Sequence, residues 1–98
     1  MKIEKIRQVI EEYEELLISL GAKPKQFEDY DKVGYHPEEA DLDHLCYMTT
    51  QMPELLDHGK KEKVCCWLGF IQGVFFAMGV KSLNELKNDS RPDEKEQQ

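Results

Sequence analysis

The sequence predicts an all-α fold, a small helical bundle of three main helices and a short C-terminal helix, in one domain over residues 1–88. Three observations predict it. Apolar residues recur at three- and four-residue steps along two long segments. A third segment, Val64 to Val80, is apolar on nearly every side, which requires enclosure by protein or lipid. Gly21, Gly59 and Gly79 stand where left-handed caps would end these helices.

The first helix rests on Ile3, Ile6, Ile10, Tyr13, Leu17 and Leu20, whose alternating steps form a heptad seam. Gly21 closes it, and Pro24 prevents an immediate restart. Glu11, Glu12, Glu14 and Glu15 fall on its outer face, which reads either as a solvated surface or as an acidic docking patch. From Lys23 to His36 no helical period holds, yet Phe27, Tyr30, Val33 and Tyr35 recur among charged residues. Flexible linkers lack such aromatics, so an ordered connector lying across the bundle is expected, with Phe27, Tyr30 and Tyr35 as candidate partner contacts.

His36-Pro37-Glu38-Glu39 opens the second helix, with proline in the first turn and acids where the helix dipole favours them. Leu42, Leu45, Thr49, Met52 and Leu56 form its apolar face, with Cys46 at the margin. Pro53 predicts a kink, since the apolar register continues through Leu55 and Leu56 before Gly59. The third helix, about Lys61 to Met78, is expected to be the central buried one. Cys66, Gly69, Gly73 and Ala77 make a small-residue stripe that permits close approach, while Trp67, Ile71, Val74, Phe75 and Met78 make a bulky side. Ser82-Leu83-Asn84-Glu85 is a capping box for the short fourth helix, and residues 89–98 read as a disordered polar tail.

Composition narrows the function classes. The net charge of −7 disfavours general nucleic-acid binding, which depends on Lys and Arg contacts to phosphates. The acidity is concentrated in residues 1–59, with fourteen acids against six bases. Met1 to Lys5 lead into a charged amphipathic helix without an apolar signal core, so a cytoplasmic location is expected. Cys46, Cys65 and Cys66 read as buried thiols. A membrane span through Val64 to Val80, with Gly69-x-x-x-Gly73 as a packing motif, is a weaker alternative, because the run is short and contains Gln72.

Among polar candidates, His44 lies one turn before Met48 at the edge of the second helix, within reach of Gln72 if the two long helices pair antiparallel. Both read first as structural groups, Gln72 as a residue that fixes register or subunit pairing. Adjacent Cys65 and Cys66 point about 100° apart on a helix, so a zinc site is not expected. One enzyme reading competes: Glu12-x-x-Glu15 and Glu38-x-x-Asp41 resemble the paired acids with which all-α nucleoside triphosphate pyrophosphatases hold magnesium. The lysines and arginines that would hold a triphosphate are missing nearby. No cofactor and no catalytic residue are expected.

The order of motifs carries a family resemblance. An aromatic connector is followed by Glu39-Ala40, Leu42 and His44, then Met48, Lys63, the run Trp67-Leu68-Gly69-Phe70-Ile71-Gln72-Gly73-Val74, and Ser82 to Lys87. From about Lys23 to Pro92 the chain resembles a family of short proteins encoded in tailed bacteriophages and prophages. These share a tryptophan-leucine-glycine-phenylalanine-glutamine-glycine helix. The resemblance implies a phage gene product acting inside a bacterial host, and it carries no catalytic residue. Cys66 departs from it, since a basic residue often precedes the tryptophan.

The expectation is therefore a non-enzymatic phage accessory protein that binds a host or phage protein, as an inhibitor of a host defence or replication component or as a nucleic-acid mimic. Glu11, Glu12, Glu14 and Glu15 would form the contact surface. A homodimer or higher homo-oligomer would complete the burial of the third helix around Trp67, Gly69, Gln72 and Gly73.

Overall fold

A computed structural model describes residues 1–26 and 42–91. Among them the chain forms four helices and no strand: α1 (Ile3–Ser19), α2 (Leu42–Asp57), α3 (Lys61–Ala77) and α4 (Leu83–Ser90). The fold is a small all-α helical bundle. The expected aromatic connector, with Phe27, Tyr30 and Tyr35, and the expected helix opening at His36 to Asp41 lie outside the described residues.

α1 buries Ile6, Val9, Ile10, Tyr13 and Leu17. The ends of the expected seam turn outward, with Ile3 44% and Leu20 48% exposed. Ile3 is the first residue of the helix and Leu20 its C-cap, so both lie at the ends of the packed segment, and Val9 joins the buried stripe one turn before Tyr13. On α2 the buried face is the expected one, Leu42, Leu45, Cys46, Thr49, Met52 and Leu56, joined by Met48. The fully buried Thr49 satisfies its hydroxyl by donating to the Cys46 carbonyl at 2.7 Å. The helix runs through Pro53 to Asp57.

All three long helices end in the same way. Gly21, Gly59 and Gly79 adopt φ of 91°, 75° and 73°. In each case the next residue donates back five positions: Ala22 to Leu17, Lys60 to Leu55 and Val80 to Phe75. The glycine amide bonds three positions back, which completes a Schellman motif and satisfies carbonyls the helix leaves open. A side chain at these φ values is strained, hence glycine.

α1 and α2 are antiparallel and share the most extensive interface. Beyond the end of α1, the amides of Lys23 and Lys25 donate to the side chain and carbonyl of Asp43 at the start of α2. At the other end Arg7 donates to Asp57 at 2.6 Å. α3 returns through the short turn at His58 to Lys60 and places Val64, Leu68, Ile71 and Phe75 in the core. Each such side chain contributes about 1.5–3 kcal/mol when fully buried.

Two expectations need correction, the burial of all three cysteines and the end of the domain at residue 88. α3 is enclosed by its own chain on one side only: Cys65, Cys66, Gly69 and Gly73 are exposed, and Phe70 and Phe76 are 51% and 56% exposed. Its four buried residues at steps of four, three and four face one side, and α1 and α2 cover only that side. Cys65 and Cys66 are therefore surface thiols, whereas Cys46 is buried. The domain also reaches beyond residue 88, since α4 continues to Ser90 and the side chains of Asp89 and Ser90 hold it to the bundle.

Candidate functional site

Three places on the molecule combine polar groups from different helices or leave apolar surface uncovered. The first is a clasp that ties α4 to α1 and α3. The Tyr13 ring is fully buried, and its hydroxyl donates to Asp89 Oδ2 at 2.8 Å. Gln72 Nε2 donates to that hydroxyl and to Ser90 Oγ, both at 3.0 Å. Lys81 Nζ donates to the same Asp89 oxygen at 2.8 Å and lies 5.3 Å over the Tyr13 ring. Burial pushes the Tyr13 phenol well above its usual range; the Gln72 hydrogen bond works against this and the Asp89 carboxylate adds to it. The phenol therefore stays neutral and serves as a donor. Lys81 and Asp89 are only 18% and 16% exposed, so this pair is far less screened than Arg7–Asp57, at 42% and 65%.

Gln72 thus finds its partners on α1 and α4, not at His44. His44 is half-buried, with its ring 5.8 Å from that of Tyr47. α4 begins with the expected capping box: Ser82 Oγ accepts from the Glu85 amide at 3.2 Å and Glu85 Oε1 accepts from the Ser82 amide at 3.0 Å. These bonds hold the Glu85 carboxyl below its usual range. Ser82→Ala should cost about 1 kcal/mol. Hydrogen exchange checks it, with amides of residues 83–90 exchanging faster and those of α1 to α3 unchanged; uniform acceleration along the chain would contradict a local cap.

The second place is a shallow groove between α1 and α2, lined by Arg7, Ile10, Glu11, Glu14 and Pro53. Ile10 and Pro53 are its apolar lining, and Glu11, Glu14 and Arg7, the last held by Asp57, are its charged lining. The four expected docking acids are therefore divided. Glu11 and Glu14 line the groove, Glu12 lies outside it and accepts from Gln8 at 3.1 Å, and Glu15 is exposed elsewhere on α1. Periodicity places all four on the outer face; that two of them meet Pro53 is a tertiary fact.

The third place is the outer face of α3, where the small-residue stripe lies between Phe70 and Phe76. A Cβ built on Gly69 or Gly73 would meet nothing within 4 Å. Trp67, half-buried at the margin, carries Lys63 Nζ 5.5 Å over its ring.

Comparison with protein-family models, with curated proteins and with solved structures found no match to this chain. Among the described residues no three His, Cys, Asp or Glu side chains cluster to hold a metal ion, and Glu38 and Asp41 of the magnesium reading lie outside them. No helix among the described residues is long and apolar enough to cross a membrane; α3 has 17 residues.

Proposed function

We propose that this is a non-enzymatic accessory protein, of the phage and prophage type its motifs resemble, which acts in the host cytoplasm by binding another protein through the α1–α2 groove. One observation carries the reading. The groove joins apolar lining at Ile10 and Pro53 to charged lining in which Glu11 and Glu14 outnumber Arg7, itself paired with Asp57, a combination of apolar and polar surface of the kind on which protein interfaces are built. It fits a segment of opposite character, an apolar side chain flanked by lysine or arginine. The negative charge of the first part of the chain would steer such a basic partner toward it. Inhibition of a host defence or replication component is the role this binding would serve.

Affinity capture from host lysate, followed by titration of the recovered partner, tests the reading. Glu11→Lys with Glu14→Lys should weaken binding by about tenfold or more, corresponding to about 1.4 kcal/mol. Glu12→Lys with Glu15→Lys, the same charge change outside the groove, should weaken it far less. Equal loss in the two pairs would reduce the effect to net charge, and no loss in either would remove α1 from the interface.

A further inference from the structure

We infer that α4 is a strap: it opens as a unit about the joint between Lys81 and Ser82, is held shut by the polar clasp rather than by apolar burial, and gives the folded bundle a closed and an open form. Nothing in this depends on what binds the α1–α2 groove.

Packing gives the first argument. α1, α2 and α3 each pack against the other two, whereas α4 makes no helix–helix interface of that extent among the described residues. Leu86 is the one buried residue of α4, and it stands apart from the continuous apolar core of the three long helices. Leu83, the other apolar residue of the helix, is exposed. Few buried apolar contacts are what allow a segment to open at a lower free energy than the whole fold.

The backbone places the joint. The amides of Val80 and Lys81 both donate to the Phe75 carbonyl, at 2.8 and 3.4 Å, so the chain is fastened to α3 as far as Lys81. From Ser82 onward the polar groups close within α4, through the capping box with Glu85 and the Leu86 amide on the Ser82 carbonyl. Rotation at this joint therefore breaks none of these bonds on either side. An isolated helix of eight residues is marginal in water, so α4 frays once it is released.

The fastening lies at the opposite end. Asp89 and Ser90 are the last two residues of α4. Asp89 Oδ2 accepts from Tyr13 and from Lys81, and Ser90 Oγ accepts from Gln72, so α1, the joint and α3 each supply a donor. Opening exchanges these hydrogen bonds for bonds to water, so their net contribution is modest and the closed form is favoured without being locked. Opening also uncovers the Tyr13 hydroxyl, the Gln72 amide and the Lys81 ammonium together. The strap thereby controls access to a patch of three donors at that end of the bundle.

The experiment is amide hydrogen exchange on the full chain, in urea concentrations below the unfolding transition. The amides of residues 86–90, which bond within α4 and its cap, should share one level of protection, well below that of core amides such as Ile10, Leu45 and Leu68. Their exchange should be nearly independent of urea, because release of one short helix exposes little surface. Asp89→Ala should accelerate them by about tenfold or more, since hydrogen bonds to a charged group are lost, while the core amides stay strongly protected. Leu83→Ala, at an exposed position of the same helix, should change them by no more than about twofold. Exchange of α4 at the rate and urea dependence of the core overturns the inference, because the helix would then open only with the whole fold. An α4 without protection in the wild type overturns it as well, and so does an Asp89→Ala protein whose α4 amides exchange as slowly as before.

Discussion

Phe75→Ala is expected to remove about 3–5 kcal/mol of stability, a large part of what a single domain of this size possesses. The ring is fully enclosed, and it meets the Tyr13 ring edge-on, with centroids 5.1 Å apart and planes at 79°. The geometry is favourable beyond area alone, since aromatic pairs of this kind add about 0.5–1.5 kcal/mol. Phe75 also receives the returning amide of Val80 on its carbonyl, so its side chain and backbone fix the end of α3 together. Urea unfolding measures the loss as a lower midpoint. Ile18→Ala is the control: an apolar truncation of similar kind at a side chain 55% exposed, expected to change stability by no more than about 0.5 kcal/mol. Comparable losses in the two variants would mean that Phe75 is not the centre of the core.

Where one face of a helix is apolar and the other polar, the sequence suffices to orient it. α2 is the clearest case: Leu42, Leu45, Thr49, Met52 and Leu56 recur on one side and all are buried. The three capping glycines and the Ser82–Glu85 box were legible too, because each rests on local backbone chemistry that needs no distant partner. α3 marks the limit. A helix apolar all round gives periodicity nothing to orient it, so the residues turned to the core, Val64, Leu68, Ile71 and Phe75, and those left outside, Cys65, Cys66 and Phe76, look alike in sequence. The groove was half legible: Glu11 and Glu14 are visible as outer-face acids, but their meeting with Pro53, more than thirty positions away, depends on how α1 and α2 cross. The clasp was legible only at Gln72, a polar side chain in an apolar run that must find partners; Tyr13, on which it closes, reads in sequence as a seam residue. Their partners Asp89 and Ser90 sit in a stretch whose polar composition reads as disordered tail.

That clasp makes stability depend on a single phenolic proton. Tyr13→Phe keeps the ring and its contact with Phe75 but deletes the hydroxyl that donates to Asp89 and accepts from Gln72. The expected cost near neutral pH is about 1–3 kcal/mol, because two part-buried polar groups each lose a partner. The pH dependence separates this from a packing effect. Burial holds the phenol of the folded protein above the ordinary tyrosine value of about 10, so the native state keeps a proton that the unfolded chain releases. The stabilisation is therefore fully present below about pH 10 and declines as pH rises above it, by up to about 1.4 kcal/mol for each further pH unit. Urea midpoints measured for both proteins between about pH 8 and 11 should show the advantage of the wild type shrinking with rising pH. A difference that stays constant across the range would show that the Tyr13 proton is not coupled to folding and that the hydroxyl acts by shape alone.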